Sequence, residues 1–267
     1  MDFIDLDETR AVLISAAREA GMIGLKFFRT ADVRPVLKPD QSPVTIADRA
    51  IDAYLVGRLK SVCSDAGWLS EESVNSHDRS SSRRMWVVDP IDGTRSFVAG
   101  GDEWVVSLAL VQDGRPIIAA LFRPATGDLY DATLHGGARL NGRRLSVSDG
   151  LLESIRTFTG PQKILQALAA EMPQAAWFRA SRSLALRLAQ LAEGVIDTAL
   201  VKAGAHDWDI AAADLILSEA GGCLTTRDGA RPVYNGPSMR HAELIGAGPR
   251  RHAAFLSACR EGRLSFS

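Results

Sequence analysis

The sequence predicts an α+β half followed by an α/β half, and three patterns carry that prediction. Trp104–Leu110, Arg115–Phe122 and Asp128–Leu134 are consecutive strand-like runs, separated by Gly114 and by Pro124–Gly127. Runs of this kind joined by turn residues fold as an antiparallel meander. From Ile155 onward strand and helix patterns alternate, which is the arrangement of an α/β layer. Two helical patterns precede both. A boundary within residues 147–154 divides the chain into 1–148 and 149–267. No long linker separates the two, so they should share a large interface.

The elements follow in order. Thr9–Arg29 sets Val12, Leu13, Ala16, Ala20 and Ile23 at helical period. Gly21 and Gly24 are poor helix formers, and mark either close packing or a kink. Residues 30–43, with Pro35, Pro39 and Pro43, read as a loop. Thr45 followed by Asp48 resembles a capping pair that opens a second helix, running to about Asp65. Gly67–Ser73 reads as a short strand ending in Ser70-Glu71-Glu72. Residues 74–84 are poor in apolar side chains and read as a mobile loop. Val87 and Val88 end a buried strand, which breaks at Asp89-Pro90 and Asp92-Gly93. A helix is expected from about Thr94. After the meander, Gly136-Gly137 and Asn141-Gly142 continue the turn-rich pattern to Leu145-Ser146-Val147. Then come strand Ile155–Thr159, helix Gln162–Ala170, strand Ala175–Phe178, helix Ser183–Ala192 and strand Val195–Val201. An almost wholly apolar helix from Asp209 to Ala220 stops at Gly221-Gly222.

Composition narrows the function. At 267 residues, 46% apolar and 24% charged, the chain has the make-up of an ordinary globular protein with a substantial core. A net charge of −1 supplies no field for a nucleic-acid polymer or an anionic membrane. Cys63, Cys223 and Cys259 are odd in number and far apart, so buried thiols in a reducing compartment are expected. The acidic N-terminus lacks the basic and apolar regions of a signal peptide, and no apolar run is long enough to cross a bilayer. A soluble, cytoplasmic protein is the expectation.

Three acidic clusters stand out: Glu71-Glu72, Asp89 with Asp92, and Asp207 with Asp209. A strand ending in Asp89-Pro90-Ile91-Asp92 aims two carboxylates and the Ile91 carbonyl at one region. All-oxygen donors suit Mg²⁺ or Mn²⁺ and not zinc. A helix starting near Thr94 would offer free amides to a phosphate. Each cluster also has a structural reading. Asp-Pro-x-Asp-Gly-Thr is a good tight turn, Asp48, Asp207 and Asp209 suit first-turn caps, and adjacent loop acids are often merely solvated. A buried helix that carries Asp209 inward favours a cation, because an unpaired buried carboxylate is costly.

Together, Glu71-Glu72-Ser73, Trp86-Val87-Val88-Asp89-Pro90-Ile91-Asp92-Gly93-Thr94 and Trp208-Asp209-Ile210-Ala211-Ala212 with Glu219–Gly222 resemble the signatures of the inositol monophosphatase superfamily. The resemblance spans nearly the whole chain, including Ala192-x-Gly194-x-x-Asp197. It implies a layered αβαβα sandwich, as in inositol monophosphatase and fructose-1,6-bisphosphatase. It also implies a Mg²⁺-dependent, Li⁺-sensitive phosphomonoesterase, commonly a homodimer, acting on a small phosphorylated metabolite. Carried over by position, Glu71, Asp89 and the Ile91 carbonyl would hold one Mg²⁺, and Asp89, Asp92 and Asp209 a second. Thr94 and Asp48 would orient the attacking water, and the Gly93-Thr94 backbone would hold the phosphate. Glu72 and Asp48 would help place a third metal through water, and Mn²⁺ could substitute.

The substrate side departs from the pattern. Members that act on inositol phosphates carry Gly-Ser before the apolar helix, where this chain has Arg182-Ser183. Their hydroxyl-binding Glu falls on Val201 or Lys202 here. If Arg182 and Lys202 face the pocket, a substrate with a second anionic group, such as 3′-phosphoadenosine 5′-phosphate, is favoured over inositol. If they face solvent, they carry no such meaning. Arg95-Ser96-Phe97 resembles histidinol-phosphate members in one dipeptide. Fructose-1,6-bisphosphatase activity and a non-catalytic regulator of the same fold are the remaining alternatives.

Overall fold

The computed structural model describes residues 4–30, 33–73, 82–162, 175–177 and 181–263. Helix α1 (Leu6–Phe27) opens on Asp5, whose carboxylate accepts the amides of Asp7 and Glu8. Its glycines mark close packing, not a kink. A Cβ on Gly21 would lie 2.5 Å from the Phe122 ring, and one on Gly24 2.8 Å from the Trp104 ring. The expected loop at 30–43 contains a small antiparallel hairpin, β1 (Val36–Leu37) and β2 (Pro43–Val44). Helix α2 (Ile46–Lys60) starts at the expected Thr45–Asp48 capping box and ends before Asp65.

A seven-stranded sheet runs in the order β3 (Gly67–Ser70), β4 (Arg84–Asp92), β5 (Val105–Gln112), β6 (Arg115–Arg123), β7 (Asp128–Thr133), β8 (Gly137–Leu140) and β9 (Arg143–Arg144). Only β3 and β4 are parallel; the rest is the expected meander. Strand β4 does not break at Asp89. It continues to Asp92, and its register with β5 slips between those two residues. An irregularity of this kind tolerates Pro90, which has no amide to give the ladder, and re-aims the side chains around it. Helix α3 (Thr94–Val98) follows at once. Of the loop expected at 74–84, residues 74–81 lie outside the described residues, and Arg84 already belongs to β4.

After a short 3₁₀ turn (Leu152–Ser154) come β10 (Thr157–Thr159), β11 (Ala176–Trp177), α4 (Leu184–Ala192), β12 (Thr198–Val201), α5 (Asp207–Glu219), β13 (Cys223–Thr226), β14 (Leu244–Ala247) and α6 (Pro249–Arg260). The second sheet has the order β11-β10-β12-β14-β13. It is parallel through β12 and antiparallel at β14 and β13, so it is mixed. The expected strand from Val195 begins only at Thr198. The Val195 and Ile196 amides still bond the Gln190 carbonyl and close the end of α4. The helix expected at Gln162–Ala170 lies, beyond Gln162, outside the described residues.

Alternation along the strands builds the layers. Trp86, Val88, Leu108, Ile118 and Ala120 pack under α1 and α2. Their neighbours Val87, Ala109, Ala119 and Leu121 pack instead against α4 and α5. Ala199 and Val201 meet the far side of α4 and α5 in the same cluster, whereas Leu200 and Ile245 face Phe255 and Leu256 of α6. The order is helix, sheet, helix, sheet, helix, as the resemblance implied. The central helix layer belongs to the second half of the chain yet completes the core of the first. Among the described residues no helix is long and apolar enough to cross a membrane. Cys63, Cys223 and Cys259 are free thiols, and burial pushes all three up in pKa.

Candidate active site

The acids come from four elements whose ends meet. Because β3 and β4 are parallel with Ser70 opposite Val88, and the Glu71 amide bonds the Val88 carbonyl at 3.2 Å, Glu71 emerges beside Asp89. Asp89 is 1% exposed, and its Oδ1 accepts the Ile91 amide at 3.0 Å. Asp92 lies past the slip in register. Its Oδ2 accepts the Ser183 hydroxyl at 2.6 Å and the Ala185 amide at 2.7 Å, both at the start of α4. Asp209 projects from the first turn of α5, with Oδ2 accepting the His206 amide at 2.7 Å. Asp48 projects from the first turn of α2. Its Oδ2 takes the Thr45 amide and hydroxyl, and its Oδ1 lies 3.4 Å from the Thr94 hydroxyl. That hydroxyl donates to the Ile91 carbonyl at 3.0 Å. Asp48 and Asp209 are therefore caps, as their sequence setting allows, and each is at the site as well.

Crowding shows in the ionisation of these groups. Burial raises Asp89 well above the usual carboxylate range, and the charges of Glu71, Asp92, Asp209 and Asp48 raise it further. Burial pushes Asp92 up to about 7, with Asp209 adding to the rise and Ser183 opposing it. Asp48 reaches about 6, chiefly through burial. Glu71 and Glu72 rise for the same reason, opposed by Lys38. Buried like charges of this density favour proton uptake or a cation.

Lys38, at the end of β1, was not anticipated from the sequence. Its Nζ donates to Glu71 Oε1 at 2.9 Å and to Glu72 Oε1 at 2.7 Å. Burial opposes its charge, but the two glutamates outweigh that and raise its pKa. Among the described residues no three His, Cys, Asp or Glu side chains close on one point as a finished ligand sphere. Lys38 on Glu71 and Ser183 on Asp92 supply a local reason, since both carboxylates are drawn toward protein donors. In donor type the set fits a hard divalent cation: carboxylates and one carbonyl, with no soft ligand.

Gly93 turns the chain from β4 into α3 with φ +100°, and a Cβ there would lie 2.6 Å from the Glu103 carbonyl oxygen. Only glycine fits that corner. Ser183 is fully buried and caps α4 through the Leu186 amide at 3.0 Å while holding Asp92. Its contacts are with protein groups behind the acids. Asp207 is also fully buried, bonded to the Asn235 amide and the His241 ring, and so anchors a loop. Arg182 and Lys202 both line a cleft of about 510 Å³ that reaches Asp92 and Asp209. Arg187 and Arg240 line it too, and sequence reasoning missed both. Arg187 left a signal, being the one cation on the apolar helix α4. Arg240 and Lys38, in irregular segments, left none.

The inositol monophosphatase family model matches residues 5–262. A Nus factor SuhB of Xylella fastidiosa is 34% identical over 229 residues, covering 82% of this chain and 82% of that protein. An inositol-1-monophosphatase of Mesorhizobium japonicum is 32% identical over 248 residues, covering 88% of this chain and 91% of its own. The crystal structure of extragenic suppressor protein suhB from Bartonella henselae aligns with a TM-score of 0.81 at 27% identity, over 96% of this chain and 99% of that one. By layer order, by the acids at the strand and helix ends, and by these similarities, the chain belongs to the inositol monophosphatase family.

Proposed function

We propose that the protein is a Mg²⁺-dependent phosphatase that hydrolyses a small phosphate monoester. The observation that carries this reading is Asp89, a carboxylate almost wholly removed from water and surrounded by the charges of four more acids. Such a group is costly in any protein whose function does not supply a partner for it. Glu71, Asp89 and the Ile91 carbonyl would hold one Mg²⁺, and Asp89, Asp92 and Asp209 would hold a second, with Mn²⁺ an acceptable substitute. Glu72 and Asp48 would serve a third. When bound, paired divalent ions stabilise the attacking and leaving oxygens of an in-line displacement.

The chain's own residues do the rest. Were the Ile91 carbonyl engaged by a cation, the Thr94 hydroxyl that now donates to it would be free to turn its proton to Asp48 Oδ1, 3.4 Å away, and accept from a water, which orients that water and leaves Asp48 to take up a proton. With a pKa of about 6, Asp48 can accept a proton near neutral pH. Gly93 allows the Thr94 backbone to approach a phosphate without a side chain in the way. Ser183 acts through Asp92, as a positioning residue. Arg182 and Lys202 contribute from the cleft wall.

The test is phosphate release from a panel of esters, including inositol 1-phosphate, fructose 1,6-bisphosphate and histidinol phosphate, with Mg²⁺ and with EDTA. Metal-dependent release supports the reading, and Li⁺ should inhibit it. Release that survives EDTA, or none from any ester, overturns it. The Nus factor name of similar chains supports a second reading, a non-catalytic regulator that binds a partner through the same fold. Absence of turnover on the whole panel would favour it.

A further inference from the structure

A second cavity, of about 480 Å³, opens between the start of β6, the C-terminal half of α5, β13 and α6. It shares no lining residue with the cleft at Asp92 and Asp209. Both touch α5, but at different places: Asp209 is in its first turn, and Asp214 lies about 7.5 Å further along the axis at helical rise. Asp214, Arg115 and Arg231 all line the second cavity. Asp214 Oδ2 accepts the Tyr234 hydroxyl at 2.9 Å, while among the described residues its Oδ1 receives no hydrogen bond. Burial pushes this carboxyl up to about 6, and Tyr234, Arg115 and Arg231 oppose the rise only in part. The arginines act on it from a distance, for among the described residues neither forms an ion pair. Arg115 donates to the Pro232 carbonyl at 3.5 Å, so it reaches the segment that carries Arg231. His252 adds no charge near neutral pH, because burial lowers its pKa and its Nε2 is hydrogen-bonded to the Thr225 hydroxyl at 3.0 Å.

One carboxylate and two guanidinium groups thus face a common space without closing on one another, and they leave a positive charge over. Arginine receives carboxylate or phosphate in forked, charge-assisted bonds. A cationic donor at Asp214 Oδ1 would offset the burial that opposes its ionised form. A guest with two anionic charges and one ammonium neutralises all three side chains at once. Leu215 and Leu224 offer an apolar wall to a short methylene chain, and the volume is that of a small-molecule site. We propose that this cavity binds a small, amino-acid-like zwitterion of net negative charge, with its anionic groups on Arg115 and Arg231 and its ammonium on Asp214. An acidic amino acid and a phosphorylated amine share that chemistry. The proposal stands or falls independently of the phosphatase reading.

Titration calorimetry on the full chain tests it, in EDTA so that no metal draws the probes to the acids of the other site. The probes are L-glutamate and O-phosphoethanolamine, set against succinate, which lacks the ammonium, and putrescine, which lacks the anions. At least one of the first two is expected to bind roughly tenfold tighter than either control, the size of one charge-assisted bond; which of them does so separates carboxylate from phosphate. Arg231→Gln, at an exposed position where the fold should tolerate it, should weaken that binding about tenfold. Asp214→Asn should abolish the preference over succinate. Cys223 supplies a readout of place, since it lines the cavity and is only half-buried, whereas Cys63 and Cys259 are buried. A saturating probe should slow its alkylation by iodoacetamide at least fivefold, followed by peptide mass spectrometry. Binding no tighter than the controls, binding that either variant leaves unchanged, or Cys223 labelling that ignores the probe overturns the proposal.

Discussion

Ser183→Ala probes whether the start of α4 holds the metal-side acids in place. One hydroxyl there does two jobs: it donates to Asp92 Oδ2 at 2.6 Å and accepts the Leu186 amide at 3.0 Å. A bond to a charged, fully buried partner contributes about 1.5–3 kcal/mol, and an N-cap about 1 kcal/mol. The two share one side chain and are not fully additive, so a loss of about 3 kcal/mol is expected, with a fall in Tm of roughly 6–12 °C for a chain of this size. A second consequence is chemical. Ser183 opposes the rise of Asp92, which already reaches about 7. Without it Asp92 binds its proton more tightly, and a divalent cation must displace that proton. The Mg²⁺ concentration for half-maximal activity should rise at pH 7 and recover toward wild type at pH 8.5, where Asp92 ionises in both proteins. Urea denaturation and Mg²⁺ titrations at the two pH values measure these effects. Ser181→Ala is the control, because the Ser181 hydroxyl accepts the Ser183 amide at 3.2 Å and makes no bond to Asp92. A Ser183→Ala loss no larger than the control's, or a Mg²⁺ defect that ignores pH, would refute the reasoning.

Three further outcomes are expected. Asp89→Asn should abolish turnover by orders of magnitude yet leave metal-free Tm equal to or above wild type, because a buried, repelled carboxylate is replaced by a neutral amide. Thermal shift with and without Mg²⁺ checks it: wild type should gain about 3 kcal/mol at a hundredfold excess over Kd and the variant nothing, whereas a retained shift contradicts the assignment. Asp214 is raised by burial to about 6 from an ordinary 3.8. Its contribution to stability is therefore full below 3.8 and lost as pH rises through about 6. Asp214→Asn, which keeps an acceptor for the Tyr234 hydroxyl, should stabilise the protein by up to about 3 kcal/mol at pH 8 and by only about 1 kcal/mol at pH 4.5; urea curves showing the same difference at both pH values would sink this. Gly93→Ala sets a Cβ 2.6 Å from the Glu103 carbonyl in a left-handed backbone, and should cost about 1–3 kcal/mol in the same assay. An unchanged midpoint would mean that the corner between β4 and α3 is slack.

How much of this was legible depended on whether the information was local. The meander was readable because each strand and its turn are contiguous. The break expected at Asp89 was not borne out, because Asp-Pro reads as a stop only when the strand is regular. Here a slip in register against β5 accommodates Pro90, and no single-strand pattern announces that. Strands β13 and β14 have four residues each, lie far apart and pair with one another only in the folded sheet, so periodicity gave no purchase on them. The site divides in the same way. Glu71, Asp89, Asp92 and Asp209 could be picked out because each sits at the end of a recognisable element. Lys38 and Arg240 could not, because their meaning comes from contacts across the fold.

Asp48 and Asp209 show why two sequence readings that look exclusive need not be. Each is the third residue of its helix, and in each case one oxygen bonds the backbone amide of the capping residue. The first-turn reading is therefore correct. A carboxylate has two oxygens, however, and capping consumes one while fixing the direction of the other. Asp48 Oδ1 is left facing Thr94, and among the described residues Asp209 Oδ1 receives no hydrogen bond. A cap that also immobilises a carboxylate lowers the entropy lost when a ligand arrives, since the rotamer is already set. At Asp48 it also places the positive end of a helix dipole near an acid that burial raises in pKa, which favours the ionised form against that burial. The same two bonds that start α2 and α5 thus prepare the acids for a cation, and removing the capping partner should disturb both helix and site together.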